Sequence, residues 1–389
     1  MTPRRSLCLQ AKRWVTPSLA GLLLASTAQA EVVQEALETN HFAITIERVA
    51  DGFTNPWAVA FLPDGRYLVS ERSGELNLVD ANGQSQVLEG MPQVSQNGQG
   101  GLLDVVLHPE FGTGDGDGEH DWIYFTWSKP EGNNSHSAVS RVKWQGDSLG
   151  DVEHLFEQDR ASSPGRHYGS RLAWLKDGTL LMSIGDRGVD PSRAQASDDH
   201  AGSTLRLTET GAVPDDNPFV DDNNTLDEIY TLGNRNIQGM TVLSNGEPWA
   251  TEHGPRTGDE LNHIVPGNNY GWPEVSLGND YATNEPIGVR SKPGMEDPVY
   301  RFEGRFAPSG LAEVTSDAFG SWQGSLLAGG LASETLLRLE LEGGNVVTEE
   351  TILDGHIGRI RDVRQGPDDA LYLLTDSNQG SLYRLHVAN

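Results

Sequence analysis

Short apolar segments separated by polar turns recur along the chain, and the recurrence has a β rather than an α period. Ala58-Val59-Ala60-Phe61-Leu62 runs into Pro63-Asp64-Gly65 and resumes at Tyr67-Leu68-Val69. Arg171 to Leu175 leads through Lys176 into Asp177-Gly178 and Leu180 to Met182. Met240 to Leu243 leads into Asn245-Gly246, and Ile360 to Val363 into Pro367-Asp368 and Leu371 to Leu374. Weaker versions lie at Leu102 to Leu107 with His108-Pro109, and at Leu311 to Val314 with Asp317-Ala318-Phe319. Asp-Gly between alternating apolar segments signals a hairpin whose two turn positions take positive φ. These six units, spaced by about forty-five to seventy residues, predict an all-β, six-bladed β-propeller with loops of unequal length. Phe42 to Val49 alternates apolar and polar residues and is expected to pair with Ser381 to Val387, closing the ring through both chain ends. A pair of β-sandwiches is the competing architecture. No stretch carries sustained helical periodicity with caps, and 45 glycines in 389 residues suit many tight turns.

Residues 1–30 break the pattern. Arg4, Arg5, Lys12 and Arg13 precede an apolar run around Leu19 to Ala25, then Ala28-Gln29-Ala30, the layout of a cleaved export signal. The run is shorter than the roughly twenty residues that span a bilayer, so a retained anchor is disfavoured. The expected mature chain, 31–389, is a single propeller domain in the periplasm or secreted. The signal holds four basic and no acidic residues, so its removal takes the net charge from −28 to −32. Such a surface repels phosphate backbones and anionic membranes, which excludes nucleic acid as partner and membrane insertion of the mature chain. The only cysteine, Cys8, would leave with the signal, excluding disulfides, zinc–thiolate sites and thioether-attached haem.

Loops of a propeller converge on its axis, so distant residues can share one pocket. Glu252 to Trp272 contains Gly254-Pro255, a turn able to aim carbonyl oxygens at a hard cation such as calcium, although Gly-Pro and Thr-Gly-Asp also make ordinary surface turns. His167 in H-Y-G-S-R-L, Asp186 in S-I-G-D-R-G, Arg235 and Asn236 in G-N-R-N-I-Q-G, and Arg359 and Arg361 in G-R-I-R-D-V are the other candidates. A histidine oriented by a carboxylate accepts a hydroxyl proton near neutral pH, and arginines offer paired donors to carboxylates. The bland alternatives are a structural histidine, a turn-capping aspartate and, for Arg359 and Arg361 on one strand face, a surface ion-pair ladder. Asp115, Asp117 and Glu119, like Asp215, Asp216, Asp221 and Asp222, read as solvated acidic loops. Trp57, Trp174 and Trp272 are expected to pack between blades.

Together these residues resemble the soluble quinoproteins of the glucose/sorbosone dehydrogenase family, most closely its aldose sugar dehydrogenase branch, from about Val49 to Leu385. G-Q-G-G-L-L-D at 98–104, H-x-G-x-R-L, I-G-D-R-G, R-N-x-Q-G, E-H-G-P-x-x-G-D-E-L-N, N-Y-G-W-P, A-P-S-G at 307–310 and G-R-I-R-D-V stand in family order. The resemblance implies a six-bladed propeller holding pyrroloquinoline quinone (PQQ) and calcium. It places the general base on His167, its orienting carboxylate on Asp186, quinone contacts on Arg235 and Asn236, main-chain calcium ligands on Gly254 and Pro255, and PQQ-holding groups on Gln99, Arg359 and Arg361. The implied reaction takes the proton of an anomeric hydroxyl and passes hydride to the quinone, with calcium and Arg235 stabilising the developing oxyanion, leaving a lactone; electrons then go to an acceptor the sequence does not identify. The subunit state implied is monomer or homodimer. Two departures stand out: Ser170 where the family more often has glycine, and Ala332 where relatives often place a lysine over the cofactor. Competing functions are a calcium-dependent lactonase on a similar propeller and a non-catalytic propeller that binds glycans or a partner protein.

Overall fold

Each of the six repeated units forms the two innermost strands of one antiparallel sheet, and the six sheets are the blades of a propeller. The computed structural model describes residues 30–113, 118–163 and 165–388. The expected export signal with Cys8 lies outside them except for Ala30, as do Asp115 and Asp117. In chain order the innermost strands of blades 1 to 6 are Pro56–Phe61, Leu102–Leu107, Leu172–Trp174, Ile237–Val242, Pro308–Glu313 and Ile360–Gln365. Each lies against the next, and the sixth returns to the first. Blades 1 to 5 have four strands.

Blade 6 closes the ring as the alternation predicted: Ala43–Phe53 pairs antiparallel with Gly380–Val387, with Ile44 opposite Val387 and Phe53 opposite Gly380. The chain adds a strand the sequence reading missed, Glu31–Glu38, on the outer edge of this blade. Its residues are mostly exposed, so it carries none of the apolar alternation that betrays a strand.

The turns differ from expectation in a specific way. Gly65, Gly178 and Gly246 have φ of 86°, 82° and 97°, whereas Asp64, Asp177 and Asn245 keep negative φ. The amide of each glycine donates to the carbonyl three residues back, and the strand then resumes through a bulge, the three-residue hairpin rather than the two-residue one. In blade 6 Asp369 takes the left-handed place, at φ 64°. At Asp317-Ala318-Phe319 there is no hairpin turn; Ser316 caps a short 3-10 helix, Asp317–Trp322, that fills this connection.

Because each blade is covered on both faces, alternate residues of one strand serve different cores. In blade 1, Ala58 and Ala60 pack with Leu102 and Phe125 of blade 2, while Val59 packs with Leu374 and Leu382 of blade 6. The same interleaving joins Tyr124 to Met182, Leu181 to Met240, Trp249 to Leu326 and Leu327 to Leu371 around the ring. Trp57 and Trp174 sit in these layers as expected.

Charges close the axis. Arg171 of blade 3 lies 3.1 Å from Asp104 of blade 2 and 2.9 Å from Asp362 of blade 6, and its Nε donates to the Gln238 carbonyl of blade 4. The same carboxylates accept the amides of Leu172 and Val59, and Arg364 spans both at 2.6 and 2.9 Å. This buried cluster forms a floor, and Arg171 stacks over Trp57 at 4.3 Å.

Candidate active site

On the other side of Trp57 the loops enclose a cavity of about 300 Å³, at the small end for a ligand site. Its wall includes Gln99, His167, Arg235, Asn236, Gly254, Pro255, Arg359 and Arg361, so residues up to 262 positions apart in sequence meet there.

His167 lies in the loop entering blade 3 with φ 51°, left-handed backbone that a non-glycine residue adopts only under constraint. Three contacts supply the constraint. Its amide donates to Gln99 Oε1 at 2.7 Å, the next glycine amide, Gly169, donates to Asn236 Oδ1 at 3.1 Å, and the His167 carbonyl rests where only the missing side chain of Gly185 leaves room. Ser170 also takes positive φ, 74°, with its hydroxyl donating to the Tyr168 carbonyl, so the departure from glycine is accommodated in the same backbone conformation.

The imidazole Nδ1 lies 2.6 Å from Asp186 Oδ1. Asp186 is itself held: Gly188 N donates to Oδ1 at 2.7 Å and Trp272 Nε1 to Oδ2 at 2.8 Å. Trp272 therefore does not serve as expected for blade packing; its ring lies beneath the Arg235 guanidinium at 5.3 Å and its N–H anchors the carboxylate. Burial would raise the Asp186 carboxyl, but the His167 bond and the His167 and Arg235 charges outweigh it and hold it below the usual range. Burial pushes the His167 imidazole below its ordinary value, against the pull of Asp186 and with the help of Arg235. A proton on Nδ1 facing the carboxylate leaves Nε2 as the free acceptor nitrogen of the ring.

Arg235 is bonded at its backbone by Glu252 and sends Nη1 to the carbonyls of His253 and Gly254 at 3.1 and 2.7 Å. Gly254 is required by crowding rather than by φ: a Cβ would lie 2.3 Å from Thr257 O and 2.4 Å from Gly258 O. Its amide donates to Asp259, whose second oxygen accepts Ala307 N, and burial raises that carboxyl. Arg359 and Arg361 do face one side, as strand alternation predicts, and both reach Asp376 Oδ2, at 2.8 and 3.0 Å. They line the cavity wall and are not a surface ladder. Burial would raise Asp376, yet the two arginines hold it low.

Sequence reasoning missed Asp376, Gln238, Asp259, Arg72, Arg305 and His253. Gln238, His253 and Asp259 lay within motifs already singled out. Burial and the Arg235 charge push His253 well below its usual value, and its Nε2 has no partner among the described residues. Asp215, Asp216, Asp221 and Asp222 are exposed turn residues, with Asp216 paired to Arg206 at 2.7 Å.

The wall has an excess of donors. Five arginines, Arg72, Arg235, Arg305, Arg359 and Arg361, share it with two carboxylates, Asp259 and Asp376. Buried Arg235 Nε and Arg361 Nε also lack partners among the described residues. A ligand carrying several carboxylates fits this set. The Gly254 carbonyl, with one lone pair engaged by Arg235, keeps another for a hard cation.

The profile described as Glucose / Sorbosone dehydrogenase matches residues 53–384. The chain is 35% identical over 390 residues to the aldose sugar dehydrogenase YliI of Escherichia coli (strain K12), covering 98% of this chain and 97% of that one. The apo crystal structure of the soluble aldose sugar dehydrogenase from Escherichia coli superposes with a TM-score of 0.83 at 36% identity, covering 88% of this chain and 99% of that one. The PQQ-bound aldose sugar dehydrogenase from Streptomyces coelicolor gives 0.72 at 28% identity, covering 92% and 99%. With the motifs in order, the ring of six blades and these matches over nearly the whole chain, the protein belongs to the glucose/sorbosone dehydrogenase family.

Proposed function

We propose that this protein is a PQQ- and calcium-dependent dehydrogenase that oxidises the anomeric hydroxyl of aldose sugars to lactones. The observation that carries this reading is a histidine–carboxylate pair facing a cavity whose arginines outnumber its acids, on a chain of this family. When bound, PQQ supplies an electrophilic carbonyl carbon that accepts hydride, and calcium polarises the adjoining oxygen.

The chain's own residues do the rest. Arg359 and Arg361 would hold the cofactor through its carboxylates, with Gln99 and Asn236 beside them, while Arg235 would contact the quinone and stabilise the negative charge that develops on its oxygen. The carbonyls of Gly254 and Pro255 offer the cation its main-chain oxygens. His167 Nε2 takes the hydroxyl proton, while Asp186 supports the resulting imidazolium and keeps the ring from turning. Trp272 keeps Asp186 in place in turn. Asn236 and Gln99 fix the His167 backbone, so base and cofactor are set by the same two side chains.

Among the described residues no helix is long and apolar enough to cross a membrane. Cleavage after Ala30 and export to the periplasm complete the reading, with the protein acting as monomer or homodimer and passing electrons to a separate acceptor. The lactonase alternative needs carboxylate side chains free to ligate metal, and Asp259, nearest the Gly254 turn, has both oxygens bonded to backbone amides.

The test is to add PQQ and calcium to the purified apoprotein. Quinone absorption bands that bleach on adding an aldose, with dye-linked turnover lost in His167→Ala, are expected. Absence of turnover across a panel of sugars and alcohols rejects the reading.

A further inference from the structure

One cation of the cavity wall is used neither by the fold nor by the base. Arg305 lies between the strands Tyr300–Arg301 and Pro308–Glu313, exposed at the cavity. Every other arginine of the wall is engaged. Arg72 bonds the Gly98 and Gly100 carbonyls, Arg235 those of His253 and Gly254, Arg359 the Leu331 carbonyl and Asp376, and Arg361 both Asp376 and Gln238. Arg305 has no hydrogen-bond or ion-pair partner among the described residues.

Its backbone, in contrast, is clamped. Ala332 and Ser333 donate their amides to the Phe306 carbonyl at 3.1 and 3.3 Å, Leu331 donates to the Ala307 carbonyl at 2.9 Å, and Ala307 N is tied to Asp259. Arg305 is thus presented beside Ala332, whose side chain ends at a methyl group and leaves the space to it. Neither carboxylate of the wall is free to satisfy it, since Asp376 holds two other arginines and Asp259 two amides. In a chain of net charge −28 an arginine easily finds an internal acid, so a fixed loop that offers an unmatched guanidinium to a ligand cavity is a binding feature.

We propose that Arg305 is a carboxylate-binding arm of this cavity, engaging an organic acid group through its paired N–H donors. Resting on the function proposed above, the carboxylate has two possible sources: the quinone cofactor itself, or an acidic aldose such as a hexuronate, which makes sugar acids part of the substrate class.

Wild type, Arg305→Ala and Arg305→Lys are compared in two equilibrium titrations: PQQ with calcium, followed by absorption, and glucuronate binding to the apoprotein, followed by calorimetry with glucose as the neutral control. If the partner is the cofactor, Arg305→Ala weakens PQQ binding by about tenfold or more and Arg305→Lys recovers part of the loss. If it is the sugar acid, the same loss falls on glucuronate, with PQQ and glucose binding unchanged. Equal binding of both carboxylate ligands in wild type and Arg305→Ala, or no wild-type binding of either, overturns the proposal. A wild type that binds glucuronate through Arg305 but takes up no PQQ sinks the cofactor reading while leaving the arm standing. The Arg305 side chain is exposed, and circular dichroism checks that both variants fold as the wild type does.

Discussion

The two sides of Trp57 use the same residue types to opposite ends. In the floor, Arg171 and Arg364 meet Asp104 and Asp362, two cations against two anions, and the carboxylates also take backbone amides from blades 1 and 3. In the cavity five arginines meet two carboxylates. Balanced charge in the interior ties blades together, because Arg171, Asp104 and Asp362 are fully buried and are held by their partners. Unbalanced charge beside a cavity does little for the empty fold and awaits an anionic ligand. Arg171 and Arg361 show the contrast most sharply: both are buried and both lie over the Trp57 ring, at 4.3 and 5.9 Å, yet one belongs to the scaffold and the other to the site.

The largest effect expected belongs to neither set of arginines. His167→Ala removes the base and should lower kcat by about 100- to 10,000-fold while PQQ affinity stays close to wild type, measured in parallel by turnover and by quinone titration. Loss of PQQ binding of similar size would move His167 from the chemistry to the cofactor cradle. Next comes Arg171→Met, which leaves two fully buried carboxylates to share Arg364 alone and strips the Gln238 carbonyl of its donor, and should cost about 3 kcal/mol of stability in denaturant unfolding of the apoprotein. Arg361→Ala should reverse the pattern: Asp376 keeps Arg359, so apoprotein stability falls far less, while PQQ affinity drops by about tenfold to a hundredfold. Equal destabilisation by the two substitutions would erase the distinction between floor and cavity.

The sequence announced the ring and the His167–Asp186 pair more clearly than the network around them. Turn glycines after apolar alternation marked the inner hairpins of blades 1, 3 and 4, and His167, Asp186 and Arg235 lay in motifs whose order is itself a signal. The outer strand Glu31–Glu38 was invisible because an edge strand that buries little has no periodic apolar face. Asp376 was invisible for another reason: it follows a strand of an unremarkable hairpin, and only the ring brings it against Arg359 and Arg361. Arg171, Asp104 and Asp362 were all inside quoted motifs, yet nothing in a linear pattern tells a charge that holds blades from one that holds a ligand. Arg305 poses the same difficulty. It stands near the place where the resemblance leads one to expect a lysine, but on another loop, and the proximity comes from the Phe306–Ala332 backbone bond.

The smallest expected effect tests how the base is tuned. Burial lowers His167 and Asp186 opposes the fall, so in wild type the acid limb of kcat/KM should lie below pH 6.5, the ordinary histidine value: activity survives to lower pH and is lost as His167 takes up its proton. Trp272→Phe removes one donor from Asp186 while keeping an aromatic ring under Arg235. A carboxylate that loses a hydrogen bond becomes more basic and pulls harder on the Nδ1 proton, which favours the imidazolium. One such bond contributes about 1 kcal/mol, so the acid limb should move up by somewhat less than about one pH unit, with kcat at the plateau reduced by less than about tenfold. A limb that moves down would mean that Asp186 has drawn away from Nδ1, leaving the burial of His167 less opposed. A plateau lost entirely would mean that the indole N–H fixes where Asp186 points, and that position rather than basicity governs the base.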